Sequence, residues 1–262
     1  MSRTHLALVA SFGLAALLFG ASGASAQVSP GLGNAESFSI LAGSEVTNTG
    51  ATTISGDVGI SPGIGPPPHY SGFGTVVLGG TLHDADTAAA DAQADSGIAF
   101  TALDQGCTFT YAGTKELAGT TLLPGVHCAD SFHLTAGTLT LSGAASDTWV
   151  FKSASDLVVT GGAAATVVSP SCNVWWRVVS TASLDAGSSL TGNVLADTSV
   201  TLAAGASLSG RAFARTAEVT LSSNSITACA VPVPTLSEWA FITLAVLLAS
   251  AGILALRRRR LA

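Results

Sequence analysis

The side chains best suited to acid–base chemistry cluster at one place in the sequence. His83, Asp84 and Asp86 lie within four residues, and His127 stands beside Cys128. Carboxylates and imidazoles are the usual general acids and bases, and some solenoid proteins use clustered acids to cleave polysaccharides. However, the sequence lacks a nucleophile elbow, a phosphate-binding loop and a His-x-x-x-His pair. We therefore interpret the cluster as the entry to a helix, and we expect no catalytic residues, no cofactor and no metal site.

Cysteine chemistry is the second possibility. The four cysteines, Cys107, Cys128, Cys172 and Cys229, allow three disulfide pairings, and an even number favours disulfides in an oxidising compartment. We favour Cys107–Cys128, which closes a local loop worth about 3 kcal/mol on the chain-entropy model. Cys172–Cys229 would then tie the end of the domain to an earlier segment. No Cys-x-x-Cys spacing occurs, which argues against structural zinc.

The N-terminus has the features of a secretory signal peptide. Arg3 and His5 precede an apolar run over residues 6–19, and Ala24 and Ala26 place small residues at −3 and −1 of a cleavage site. The apolar run is too short for a comfortable membrane span. We predict that residues 1–26 are removed on export.

The C-terminus carries a second targeting signal over residues 231–262. A Val-Pro-Thr-Leu-Ser-Glu-Trp segment (233–239) precedes an apolar stretch (240–256) and four arginines (257–260). Such a stretch can just cross a bilayer, with the arginines left on the cytoplasmic side. The segment resembles the Pro-Thr-Leu-type sorting domains of Gram-negative bacteria, with Val233 where that family usually has Ile. The resemblance implies a membrane helix before processing, and a protein exported to the cell surface or outer envelope, or secreted.

Residues 27–230 form one strongly acidic domain. They contain five Lys and Arg against fifteen Asp and Glu, a formal charge of −10. Nucleic acid is not an expected partner, because phosphate binding requires clustered Lys and Arg. Charged residues make up only 10% of the whole chain, so Thr, Ser, Ala and Gly must form much of the surface. We expect a monomer.

A short internal repeat indicates how those hydroxyl groups are arranged. Residues 182–196 (ASLDAGSSLTGNVLA) align with residues 200–214 (VTLAAGASLSGRAFA) at an offset of 18, and a third copy begins at Val219. Self-similarity at so short a period is typical of a solenoid with one repeat per coil. Alternation along each strand predicts an inward stack of Leu184, Leu202 and Leu221, with a second inward stack of Leu190 and Leu208. It also predicts an outward column of Ser183, Thr201 and Thr220, and on another face Ser189 and Thr191 aligned with Ser207 and Ser209.

One segment breaks the strand pattern. Residues 84–103 are rich in alanine, and Ala85, Ala89, Ala92, Ser96, Ala99 and Leu103 recur at spacings of three and four. Small residues at this spacing predict a helix that lies close against a sheet. Asp84, Asp86 and Asp91 near its start suit helix capping and the helix dipole.

These segments together resemble the ice-binding proteins of bacteria, fungi and algae, over about residues 31–228. The resemblance rests on residues 37–43 (SFSILAG), 46–50 (VTNTG), 54–63 (ISGDVGISPG), 83–86 (HDAD), 123–126 (LPGV), 172–176 (CNVWW), 192–196 (GNVLA) and 210–214 (GRAFA). It implies a mainly β fold, an irregular (discontinuous) β-solenoid with one long α-helix packed along its side.

The resemblance also implies a function, the binding of an ice crystal surface through a flat Thr/Ser/Ala-rich β face. Some family members use a Thr–small–x–Thr pattern, which occurs here at residues 49–52 and 135–138. The candidate ice-binding residues are Thr49, Thr52, Thr135, Thr138, Thr140, Thr160, Ser183, Thr201 and Thr220. Because threonine and serine columns are often only a solvated β face, a cell-surface adhesin or structural coat protein on the same scaffold is the alternative.

Overall fold

The computed structural model describes residues 29–161, 165–169 and 173–229. The described strands form three parallel sheets, here called A, B and C, and successive strands of the chain pass from A to B to C before returning to A. This is the predicted β-solenoid. The signal peptide and the C-terminal segment predicted for residues 1–26 and 231–262 lie outside the described residues.

Sheet A has nine strands, and sheets B and C have eight each. In spatial order sheet A contains β7 (Leu82–Asp84), β4 (Asp57–Ile60), β1 (Phe38–Ala42), β23 (Ala212–Ala214), β20 (Asn193–Ala196), β17 (Val174–Val178), β14 (Trp149–Ser153), β11 (Gly125–Ala129) and β8 (Phe109–Thr110). Sheet B contains β5 (Tyr70–Ser71), β2 (Val46–Thr49), β24 (Val219–Ser222), β21 (Val200–Leu202), β18 (Ala182–Leu184), β15 (Leu157–Val159), β12 (Ser131–Leu134) and β9 (Thr114–Glu116). Sheet C contains β10 (Thr121–Leu122), β13 (Gly137–Leu141), β16 (Ala165–Val168), β19 (Ser189–Thr191), β22 (Ser207–Ser209), β25 (Ser225–Thr227), β3 (Thr52–Ile54) and β6 (Val76–Leu78).

The coils are not stacked in chain order, and this makes the solenoid discontinuous. After β1–β3, the chain forms β4–β6 on one side of them and then β7, the last strand at that end of sheet A. The helix α1 (Thr87–Ala102) then leads back along sheet A, and β8–β10 begin a new series of coils at the opposite end. That series grows until β23 and β24 pair with β1 and β2, so the two parts of the chain close on each other.

Helix α1 begins at Thr87, directly after Asp86 and three residues after the predicted start, and it ends one residue before the predicted end. Asp86 is its N-cap and accepts a hydrogen bond from the backbone N–H of Ala89 at 2.9 Å. Asp84 does not cap the helix, contrary to the prediction. It ends β7 and its carboxylate lies 2.6 Å from Nδ1 of His69.

The predicted stripe of small residues faces sheet A. Ala89, Ala92, Ser96 and Ala99 are buried, and their small size lets the helix lie close to the sheet. Gln93 adds two hydrogen bonds from its side-chain amide to the carbonyl oxygens of Ala214 and Arg215. Short 3-10 helices at Gly33–Ser37 and Phe73–Thr75 complete the described helical structure.

The core lies inside the triangle of sheets, in columns that run along the solenoid axis. Leu184, Leu202 and Leu221 are buried in register, as the repeat predicts. Leu190 and Leu208 form the second predicted stack, which Ile226 extends. The outer side of sheet A is also covered, because its apolar residues pack under the helix in a separate cluster.

One of the two favoured disulfides is present among the described residues. Cys107 and Cys128 are bonded and join the segment after α1 to β11. Cys229 is also disulfide-bonded, and its predicted partner Cys172 lies outside the described residues.

Candidate functional site

The outward side of sheet B carries one straight row of mostly short side chains, here called the B row. From β2 through β24, β21, β18 and β15 to β12, neighbouring strands pair at three or four consecutive positions, so outward residues stand directly side by side. The B row consists, in spatial order, of Ser71, Thr47, Thr220, Thr201, Ser183, Val158, His133 and Glu116.

The middle of the B row is evenly packed and uncharged. Its members from Thr47 to Val158 are all half-buried, and each is flanked along its strand by fully buried residues at most positions. The hydroxyl oxygens of Thr47 and Thr220 lie 3.5 Å apart. Because these side chains are all short and stand on strands in continuous register, we expect this strip to be nearly level.

Charged residues lie at the margins of sheet B. Glu45 and Glu218 immediately precede β2 and β24, and Asp185 immediately follows β18. His133 and Glu116 occupy the far end of the row itself. The uncharged strip is therefore bordered by carboxylates but is not interrupted by them between Ser71 and Val158.

The outward side of sheet C presents a second hydroxyl-bearing surface with two rows. None of the described strands of this sheet contains a charged residue. The first row contains Thr138, Thr166, Ser189, Ser207, Ser225, Thr53 and Val77. The second row includes Thr121, Thr140 and Val168, and, across the next strands, Thr191, Ser209 and Thr227.

Sheet C is less regular than sheet B. Strands β16 and β19 are joined at a single pair of partners, Thr166 and Ser189. Val77 and Val168 stand out with 66% and 55% of their surface exposed, so the height of this surface also varies.

The structure distributes the predicted candidates over both faces. Ser183, Thr201 and Thr220 lie in the B row, and Thr138 and Thr140 lie on sheet C. Thr49, Thr135 and Thr160 stand at the end of sheet B, where each coil turns towards sheet C. Of the five hydroxyl-bearing members of the B row, Thr47 and Ser71 were not predicted.

Thr52 must be removed from the candidates because it lies inside the protein. It is only 1% exposed, and its hydroxyl donates to Oδ1 of Asn48 at 2.6 Å. The two Thr–small–x–Thr segments are not equivalent: Thr53, not Thr52, falls in the outward row that contains Thr138. The turn after Thr49 is one residue longer than the turn after Thr135, which moves the second threonine from the outward to the inward side.

The histidine–aspartate cluster serves the helix entry. Nδ1 of His83 lies 2.8 Å from the carboxylate of Asp86. The hydrogen bond from the backbone N–H of Ala89 to this carboxylate holds the pKa of Asp86 below its usual value, as expected for an N-cap. Within the described ranges no three His, Cys, Asp or Glu side chains are grouped so that they could hold a metal ion.

Three parallel sheets, a helix packed on one of them and hydroxyl rows on the other two define a class of protein, a three-sided β-solenoid with flat polar faces. The chain belongs to the ice-binding-like family, whose model matches residues 40–227. The IPTL-CTERM motif matches residues 231–260.

Two relatives illustrate the similarity in sequence. An ice-binding protein of Nostoc sp. (strain HG1) is 35% identical over 174 residues, which cover 65% of this chain and 63% of the relative. The matched part of this chain thus spans less than two thirds of that protein. Ice-binding protein K3-B1 of Typhula ishikariensis is 33% identical over 65% of this chain and 78% of its own length.

Solved structures show the same fold. An ice-binding protein from an Antarctic biological consortium superposes with a TM-score of 0.73 at 34% identity, over 79% of this chain and 94% of the other. The ice-binding protein of the Antarctic ascomycete Antarctomyces psychrotrophicus gives a TM-score of 0.70 at 35% identity, over 78% of this chain and all of the other. The predicted fold and family are thereby confirmed.

Proposed function

We propose that this protein binds ice, and that the B row is the surface that contacts the crystal. The observation that carries the proposal is the row itself, a level, uncharged line of hydroxyl and methyl groups on strands in continuous register. The relatives described above as ice-binding proteins support the same activity for this chain.

The physics of the B row suits a crystalline ligand. Neighbouring strands of a sheet lie about 4.8 Å apart, so the threonine and serine side chains repeat at a fixed interval. Their hydroxyl groups hold water by hydrogen bonds, and their methyl groups exclude it, so the first water layer takes up a regular arrangement. Side chains held on a sheet over a packed core lose little further entropy when that layer joins the crystal.

The position of the chain ends also favours sheet B. The buried guanidinium of Arg211, which lies between sheets C and A, donates to the backbone carbonyl oxygens of Glu36 at 2.8 Å and of Cys229 at 3.3 Å. Both ends of the domain are therefore held at the corner between sheets A and C, opposite sheet B in a three-sided solenoid. A domain tethered through residues 231–262 would present sheet B away from the surface that holds it.

The cellular setting we propose follows from the two ends of the sequence. Residues 1–26 direct export, and residues 231–262 place the protein at the cell surface or outer envelope, or are processed to release it. Before processing, the C-terminal segment associates with the membrane as a helix. No helix among the described residues is long and apolar enough to span a membrane. The ice-binding domain acts as a monomer and without enzymatic activity.

Adsorption of the fluorescently labelled protein to a single ice crystal tests the proposal. We expect selective incorporation into ice and shaped crystals, with thermal hysteresis measured on nanolitre droplets. Labelled serum albumin, which ice excludes, is the control. Exclusion of the folded protein from ice would overturn the proposal and would favour adhesion to a different surface on the same scaffold.

A further inference from the structure

A column of buried residues lies directly beneath the corner between sheets B and C. The register of sheet C places Ser188, Ala206, Asn224 and Thr52 in equivalent positions, each just before an outward residue of the first sheet C row. All of them are buried. In this column Asn224 and Thr52 carry side chains that reach neighbouring coils.

Asn224 joins its own coil to the coils on both sides. It is 3% exposed, and its side-chain amide nitrogen donates to the carbonyl oxygens of Ala203 and Ala206, both at 2.9 Å. Its Oδ1 accepts from the backbone N–H of Ser222. Its own backbone N–H donates to the hydroxyl of Thr52 at 3.1 Å, on the next coil in the opposite direction.

Thr52 and Asn48 continue the network towards the end of the solenoid. Asn48 pairs with Leu221, so it occupies the inward position that leucine holds in the following coils. Its Oδ1 accepts from Thr52, and its nitrogen donates to the carbonyl oxygens of Gly50 at 2.8 Å and Gly72 at 2.9 Å. A Cβ on Gly72 would lie 1.7 Å from the carbonyl oxygen of Asn48, so the turn containing Gly72 depends on glycine.

We infer that Asn224, Thr52 and Asn48 are positioning residues for ice binding. The inference rests on the proposed function of the B row. The turns they hold begin directly after the strands that carry Thr47, Thr220 and Thr201, the middle of the row. The network fixes the relative height of four neighbouring coils, because each amide hydrogen bond is directional and comes from a buried asparagine. It therefore keeps these three threonines level without touching ice.

The test compares Asn224→Ala and Thr52→Val with the unchanged protein. We expect a several-fold loss of thermal hysteresis and a weaker, less plane-selective adsorption to ice, at temperatures where circular dichroism shows the variants folded. Hydrogen exchange of the backbone amides of Ser222 and Thr53 should accelerate. Thr52→Val keeps the side-chain shape and loses only the hydroxyl, so it decides the question if Asn224→Ala does not fold.

Asn193→Ala is the matched control, since Asn193 is an equally buried asparagine at the corner between sheets C and A, where its Oδ1 accepts from Arg211. It should lower stability but leave ice adsorption and exchange at Ser222 unchanged. Full activity of both network variants, with an active unchanged protein, would overturn the inference, as would an equal loss of activity in Asn193→Ala. An inactive unchanged protein would instead refute the proposed function.

Discussion

Sheets B and C are built from the same coils and carry the same kinds of side chain, but they differ in bordering charge and in the pairing of their strands. Sheet C has no charged residue in its described strands, whereas sheet B is bordered by Glu45, Glu218 and Asp185. Sheet B keeps its register over six neighbouring strands, whereas β16 and β19 of sheet C share a single pair of partners. Sheets B and C therefore separate two properties that could limit a crystal-binding surface, its charge and the register of its strands.

An error in strand register affects more of a crystal-binding surface than a charge at its margin. A displaced strand puts every side chain beyond it out of phase with a crystal lattice, whereas a carboxylate at the margin disturbs only the water around it. In sheet C the first row continues across β16 and β19, because Thr166 pairs with Ser189 and Ser189 with Ser207. However, one pair of partners holds β16 and β19 in register less firmly than the three or four pairs that join the central strands of sheet B. We therefore expect the B row to dominate binding in spite of its acidic margins.

Paired tyrosine substitutions on the two faces should have the largest effect. Thr201→Tyr with Thr220→Tyr places two rings in the middle of the B row and should reduce thermal hysteresis by at least an order of magnitude. The rings hold the crystal away from the remaining side chains, and a gap of about 1 Å already forfeits roughly a quarter to a half of the van der Waals attraction. Ser209→Tyr with Thr227→Tyr, adjacent partners on sheet C, is the matched pair and should retain most of the activity.

Both double variants should remain folded, because outward surface substitutions change stability by about 0.5 kcal/mol or less. Thermal unfolding followed by circular dichroism checks this. The reverse result, with activity lost only in the sheet C pair, would show that the absence of charge matters more than register.

Removal of a marginal charge should have a smaller effect in the opposite direction. Asp185→Thr replaces the carboxylate that follows β18 with a residue like Thr49, Thr135 and Thr160 at the same edge. A carboxylate holds its hydration water tightly, so its loss should raise hysteresis modestly. Asp91→Thr, which removes an exposed charge from helix α1, is the control for net charge. An equal gain in both variants would mean that the margin of sheet B has no special role.

The inward and outward columns of the late coils were predictable because an offset of 18 residues places equivalent side chains on adjacent strands. That is why Ser183, Thr201 and Thr220 stand side by side as expected. Thr47 was missed because β2 pairs with β24, which places Thr47 beside Thr220 although the two are 173 positions apart in the chain. No local pattern contains such a pairing; it exists only once both parts of the solenoid close on each other.

Turn length was the other source of error. The Thr–small–x–Thr pattern is the same at residues 49–52 and 135–138, but a single extra residue before the next outward position turns Thr52 into the core. Similarly, His83-Asp84-Ala85-Asp86 offers two possible caps, and only Asp86 reaches the helix N–H groups, because Asp84 is still paired within β7. Side-chain types predict what a turn can do, but the count of residues decides which side chain does it.

The smallest effect we predict is a pH dependence of stability that comes from a histidine in the core and not from the surface rows. His127 is fully buried, stacked between the rings of Phe109 and Phe151, and burial holds its pKa below the usual value. Tyr111 lies 3.0 Å from its Nδ1, and Nε2 lies 3.0 Å from the carbonyl oxygen of Leu123. This arrangement suits a neutral ring that donates to the carbonyl and accepts from the tyrosine.

Because the unfolded chain binds a proton on this residue more readily than the folded protein, the contribution of His127 to stability should fall as the pH drops below about 6.5. The slope approaches at most about 1.4 kcal/mol per pH unit and should appear in denaturant unfolding measured between pH 5 and 8. His127→Phe should flatten this slope, whereas His133→Gln, which removes an outward imidazole from the B row, should leave it in place. Loss of the slope in His133→Gln alone would place the acid sensitivity on the surface. The two hydroxyl faces would then differ in their response to pH as well as in register.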